Sequence, residues 1–254
     1  VVINPLDTSF VRGQERVSGY RLAIKRSPGD HGPLLLLVHG IGVSSEYFHP
    51  LMNQLARRGA NVVALDLPGY GEAETPPQEL SVGELADIVN EFVKQQGVQE
   101  CVLVGHSMGT QIVTEAAIRW PQPYTKLILM SPTINKHERT LVQQALRLLQ
   151  DMLREPPRNN LVVMKGYIRM GMVRYLKTSE SMFSDALEKD VAKVTVPLLL
   201  LTGERDPIAT REWARLLQEA ARHDRHVEIA GGAHNFQFSH PKETAEACLD
   251  FLRA

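Results

Sequence analysis

Runs of consecutive apolar residues recur along this chain and alternate with stretches in which apolar residues fall every third or fourth position. The unbroken runs are Leu34-Leu35-Leu36-Leu37-Val38, Val62-Val63-Ala64-Leu65, Val102-Leu103-Val104, Leu127-Ile128-Leu129-Met130 and Leu198-Leu199-Leu200-Leu201. A strand covered on both faces has no polar side, so these runs predict buried strands of a parallel sheet. The helical period runs from about Glu46 to Arg58, Ser81 to Gln96 and Ile112 to Arg119. Ser81-Val82-Gly83-Glu84 reads as a capping box, with Gly59 and Gly97 as stops. Strand, helix, strand, helix in this order implies right-handed crossovers, hence an α/β fold with a mostly parallel central sheet flanked by helices. From about Phe10 to Arg26 the pattern alternates around Ser18-Gly19 and predicts two or three edge strands.

Between Ser131 and about Val194 the strand rhythm stops. Glu138 to Arg154 carries an apolar stripe at Leu141, Val142, Ala145, Leu148, Leu149 and Met152, Pro156-Pro157 breaks it, and a second helix is predicted from about Asn160 to Leu176. The expectation is a helical cap at 133–194 inserted in a core made of 1–132 and 195–254. The sheet resumes at Val196 to Leu201, with a helix from Arg211 to Ala221, a strand at Val227-Glu228-Ile229 and a last helix from about Pro241.

Chemistry enters at Val104-Gly105-His106-Ser107-Met108-Gly109, where a strand turns sharply into a helix. Glycines two before and two after the serine remove side chains that would collide in such a turn. The hydroxyl is left at a helix N-terminus, which favours a developing oxyanion. Two more loops follow strands on the same predicted sheet edge: Gly203-Glu204-Arg205-Asp206-Pro207 and Gly231-Gly232-Ala233-His234-Asn235. Ser107, Asp206 and His234 thus stand in chain order at the edge where open parallel sheets bind ligands.

On these motifs, with His39-Gly40 and Asp66-Leu67-Pro68-Gly69-Tyr70-Gly71, the chain resembles the α/β-hydrolase superfamily over nearly its whole length. The resemblance implies an α/β-hydrolase fold and makes Ser107 a nucleophile, His234 its base and Asp206, rather than Glu204, the acid that orients the histidine. It implies an oxyanion hole from the backbone N–H groups of Ile41 and Met108, and a bracing role for His39; His106, whose side chain diverges from that of Ser107 in such a turn, is expected to be structural. The activity it implies first is carboxylic-ester hydrolysis through an acyl-enzyme. Carbon-carbon bond hydrolysis of ring-cleavage products is disfavoured by Val43-Ser44-Ser45 in the oxyanion loop and Asn235 after the histidine. Cofactor-free haloperoxidase or perhydrolase chemistry uses the same triad. Epoxide hydrolases and haloalkane dehalogenases place aspartate where this chain has Ser107. A ligand receptor on the same fold is the reading from a different class.

Composition narrows the partners. Lys and Arg number 28 against 29 Asp and Glu, a formal charge of −1, which offers nothing to nucleic acid. No apolar run approaches the roughly 20 residues of a spanning helix. Cys101 and Cys248 set neither a metal-ligand spacing nor a disulfide framework, and neither a metal nor another cofactor is called for. That cysteine usage predicts a reducing, cytoplasmic compartment; Val1-Val2-Ile3-Asn4-Pro5 has neither a basic n-region nor a long apolar one, with a removed leader left open. The expected partner is a small-molecule ester; oligomeric state is not set by any feature.

The insertion has its own chemistry. From Lys136 to Lys177 nine basic residues face three acids, an excess of six. A solvated helix face accounts for that; an inward arginine for a substrate carboxylate, or contact with an anionic surface, are the sharper readings. Met152, Met164, Met170, Met172 and Met182 also lie there. With Gly40, the first four are expected to line an adaptable, apolar substrate pocket.

Overall fold

The structure is a computed structural model describing residues 10–29, 31–221 and 224–254; the reading of Val1 to Pro5 lies outside them. β1 (Val11–Val17) and β2 (Tyr20–Arg26) form an antiparallel hairpin. It turns at Ser18-Gly19, both at positive φ. β3 (His31–Val38), α1 (His49–Ala56), β4 (Ala60–Asp66), α2 (Val82–Gln96), β5 (Cys101–His106), α3 (Met108–Arg119) and β6 (Tyr124–Met130) then alternate as the pattern predicts. A short 3-10 turn, Ser45–Phe48, precedes α1 where a single helix is expected. Ser81 and Glu84 exchange both bonds of the capping box, and Gly97 closes α2 in the left-handed region.

Between β6 and β7 (Leu198–Gly203) come α4 (Leu141–Met152), α5 (Pro157–Met170), α6 (Met172–Ser184) and α7 (Leu187–Asp190). The helix expected over Asn160 to Leu176 is two helices, because Gly171 at φ 77° breaks the helical backbone between them. α8 (Arg211–Ala220), β8 (Asp224–Ile229), α9 (Phe236–Ser239) and α10 (Pro241–Arg253) complete the chain.

The eight strands of the described residues form one sheet in the order β1-β2-β4-β3-β5-β6-β7-β8. Among these described strands only the hairpin and its pairing with β4 are antiparallel. Side chains of a strand alternate between faces, so the apolar run of β3 feeds two layers. Leu34, Leu36 and Val38 pack with Leu85 and Val89 of α2 and Ile112 of α3. Leu35 and Leu37 pack on the other side with Leu51 and Leu55 of α1 and Phe251 of α10. Each buried leucine contributes about 1.5–3 kcal/mol. Cys101 and Cys248 are buried free thiols on opposite sides of the sheet. Parallel strands present their C-terminal ends together, which brings the loops after β3, β5, β6, β7 and β8 to one edge. No described helix is long and apolar enough to cross a membrane.

Candidate active site

Ser107 joins β5 to α3 with φ 54° and ψ −122°. For a residue with a Cβ such a conformation costs on the order of 1–3 kcal/mol, so surrounding contacts must hold it. A Cβ on Gly105 would lie 2.3 Å from the Gly109 carbonyl oxygen, and one on Gly109 would lie 2.2 Å from that of Val38. Both glycines are therefore required by close backbone approach. Gly40 lies against the serine itself, since a Cβ there would sit 2.9 Å from Ser107 Cβ. Met108 opens α3, and a first-turn N–H has no partner inside its helix. Ile41 follows Gly40 in the facing turn and lines the same cavity as Ser107.

His234 Nδ1 lies 3.0 Å from Asp206 Oδ2 and 3.2 Å from Oδ1, with both side chains buried. A carboxylate only accepts, so Nδ1 carries the proton and Nε2 of the neutral ring keeps its lone pair. Asp206 is fixed in turn by the N–H groups of Ile208 and Ala209, which donate to Oδ1 at 2.8 and 3.0 Å. Burial alone would raise the Asp206 pKa, but the histidine and these donors hold it below the ordinary carboxylate value. Burial alone would lower the pKa of His234; the Asp206 carboxylate, joined by Asp151 and Glu155, outweighs this and raises it to about 8. Glu204, the rival acid, accepts the Gly231 N–H at 2.7 Å and shapes the turn before the histidine.

Two other histidines brace the loops. His39 donates to the Gly40 carbonyl at 2.8 Å and accepts the Leu67 N–H at 3.1 Å. Burial, with His234 nearby, pushes His106 down to about 3, so its ring is neutral. Its Nε2–H then donates to the His234 carbonyl at 2.9 Å, and its Nδ1 accepts from Tyr47 Oη at 2.8 Å. The Gly40 N–H donates to the same Tyr47 oxygen at 3.0 Å, tying the glycine loop to the histidine loop. Ser131 Oγ also donates to the His234 carbonyl, at 2.9 Å.

Asp151 and Glu155 were not singled out by sequence. Asp151 Oδ1 accepts the His234 N–H at 2.9 Å, and Glu155 Oε1 accepts the Asn235 N–H at 2.6 Å. Burial raises these acids to about 6 and about 7. The available signal is position: Asp151 falls three residues after Leu148 on the same face of α4, whereas Glu155 lies past the end of that helix at Met152 and carries no such signal.

Ser107 and His234 line one cavity of about 230 Å³ together with Gly40, Ile41 and side chains of α4, α5 and α6. Of the predicted pocket residues, Gly40, Met152 and Met164 line it, and so does Met182. Met170 and Met172 do not. Met170 is buried against the core and borders a separate polar cleft, while Met172 is 70% exposed. The restart at Gly171 turns Met172 outward and leaves Tyr175, Ser179 and Met182 to face the cavity. The stripe assigned to α4 also divides: Leu148 and Met152 face the cavity, whereas Leu141, Val142, Ala145 and Leu149 face solvent. No arginine or lysine is among the described lining residues. Arg139, Arg147 and Arg174 of the insertion pair instead with Glu188, Glu138 and Glu79.

The largely parallel sheet with its serine turn defines the class. A profile of the alpha/beta hydrolase family matches residues 35–247, and the chain belongs to that family. Among curated proteins it is similar to the biotin biosynthesis bifunctional protein BioHC of Cellvibrio japonicus, 28% identical over 246 residues, 86% of this chain and 47% of that protein. The chain thus spans about half the length of that relative. It is also similar to the pimeloyl-(acyl-carrier protein) methyl ester esterase of Yersinia enterocolitica, 27% identical over 245 residues, 86% of this chain and 93% of that one. Among solved structures, a bacterial membrane phospholipase A superposes with a TM-score of 0.82 at 23% identity, covering 98% of this chain and 87% of that one, which is a likeness of fold.

Proposed function

We propose that this chain is a serine hydrolase that cleaves carboxylic esters of small or medium, fairly apolar substrates. The observation that carries the reading is Ser107, held at φ 54° at the start of α3, sharing one cavity with His234, whose ring is paired with Asp206 behind it. In this reading Ser107 Oγ attacks the ester carbonyl carbon while His234 Nε2 takes its proton. The oxyanion is met by the N–H groups of Met108 and Ile41, each such donor contributing roughly 3 kcal/mol to the transition state. The tetrahedral intermediate collapses, the carbon–oxygen bond to the alcohol breaks, and the imidazolium protonates the departing alkoxide. Water, deprotonated by His234, then attacks the acyl-enzyme and releases the acid and free Ser107.

Residues 133–194 act here as a cap over a core of 1–132 and 195–254, with Met152, Met164 and Met182 supplying an adaptable acyl wall. An acyl group without charge suits that wall, since its described lining holds no arginine or lysine. Carbon-carbon hydrolysis of a carboxylated ring-cleavage product would call for one. The test is steady-state hydrolysis of p-nitrophenyl esters of increasing chain length by the wild type and by Ser107→Ala, Asp206→Asn and His234→Ala. Each variant should lose on the order of 10^4 to 10^6 in kcat. A sharp preference for acetyl over hexanoyl would remove the roomy acyl wall. A wild type that turns over no ester and whose Ser107 does not react with a phosphonate would favour the receptor reading.

A further inference from the structure

Among the described residues, eleven of the twelve exposed large apolar side chains lie between Leu141 and Leu176; the other is Val11. Single exposed leucines are ordinary, but such a concentration marks a surface that meets something. On α4, Val142, Leu146, Leu149 and Leu153 are spaced four, three and four apart and form one stripe; Leu153 is 83% exposed. Leu148 and Met152 of the same helix line the cavity beside Gln144 and Asp151, so α4 carries apolar side chains toward both the cavity and solvent. On α5, Leu161 and Ile168 stand seven apart and are exposed, with Ile168 at 74%. Met164 between them is partly exposed and also lines the cavity, so the cavity reaches this face.

The charges on this surface have one sign. Between Leu141 and Lys177 the only acids are Asp151 and Glu155, and both are buried against the His234 loop. Arg154, Arg158, Lys165, Arg169 and Lys177 are exposed. A two-fold contact between copies would set this cationic face against itself. An anionic bilayer satisfies both features, since headgroups take the cations while leucine and isoleucine side chains enter the acyl boundary.

We propose that the outer face of α4, α5 and the start of α6 is a docking surface for an anionic lipid bilayer. The surface is independent of the ester-hydrolase reading, because binding is measured on Ser107→Ala, which performs no turnover in that reading. The experiment is cosedimentation of Ser107→Ala with vesicles of phosphatidylcholine alone or mixed with phosphatidylglycerol, at low and at high salt. The expected result is binding to the phosphatidylglycerol vesicles at least about tenfold tighter than to phosphatidylcholine, weakened by salt. Two further variants are made in the same background, R158E/K165E/R169E and L146N/L153N/I168N. Both should lose the binding while keeping the parent's thermal midpoint, because every changed side chain is exposed. No binding to either vesicle, equal binding to both, or binding that both variants retain would overturn the proposal. So would a dimer on size exclusion that L146N/L153N/I168N disperses, since a second copy would then be the occupant.

Discussion

At the scale of single residues, the proposed base is tuned by carboxylates from two parts of the chain. His234 must be neutral to accept the Ser107 proton, and its pKa stands raised to about 8. We therefore expect kcat/KM for a soluble ester to climb as pH rises through about 8 and to level off above it. Asp151 adds negative charge beside the ring, and Asp151→Asn keeps an oxygen that can accept the His234 N–H. Removing the charge favours the neutral ring, so the rising limb should move to lower pH in this variant and activity at pH 7 should increase. A pH–rate profile of the two proteins checks this; an unmoved limb would make Asp151 a structural contact alone. Ser107, Asp206 and His234 were legible because each stands in a short motif at a strand end. Asp151 and Glu155 were not, because their partners are backbone N–H groups more than 75 residues away, which no local pattern reports.

At the scale of elements, local chemistry and close approach make different demands. Ser81 Oγ accepts the Glu84 N–H at 3.3 Å and Glu84 Oε2 accepts the Ser81 N–H at 2.8 Å. Ser81→Ala should cost about 1 kcal/mol. For a chain of this size that lowers the thermal midpoint by about 2–4 °C, readable by circular dichroism. Gly109→Ala should be far worse, because the new Cβ would meet the Val38 carbonyl oxygen at 2.2 Å and neither backbone can yield without opening the α3–β3 contact. Little soluble protein is expected from that variant, and wild-type yield and midpoint would refute the required approach. The capping box and the glycines flanking the serine could be read from residue type and spacing. The break at Gly171 could not, since a glycine inside an apolar helical period is compatible with either one helix or two.

At the scale of the whole molecule, α6 is latched to the loop before α2. Glu79 accepts from Arg174 Nε at 2.8 Å and from Thr178 Oγ1 at 2.9 Å, and the same guanidinium also donates to the Gly69 carbonyl. Glu79→Ala removes the only carboxylate paired with this half-buried cation among the described residues and leaves it the Gly69 carbonyl and the Tyr70 ring. The inserted helices should then open more readily and trypsin should cut after Arg154 or Arg158 sooner than in the wild type, while the core fragments persist. Timed digestion followed by mass spectrometry reads this directly; unchanged cleavage would show that the latch holds nothing in place. By itself the sequence determined the parallel sheet, the order of its loops and the serine turn, because buried strand runs and tight turns depend on residues a few positions apart. The tertiary structure alone decided that Asp151 and Glu155, at and just beyond the end of α4, grip the His234 loop, that Met170 and Met172 leave the cavity, and that four of the six residues of the α4 stripe face water. When both faces of a helix are apolar, its period reveals the stripes but not which one meets the core, and only packing against the rest of the chain makes that choice.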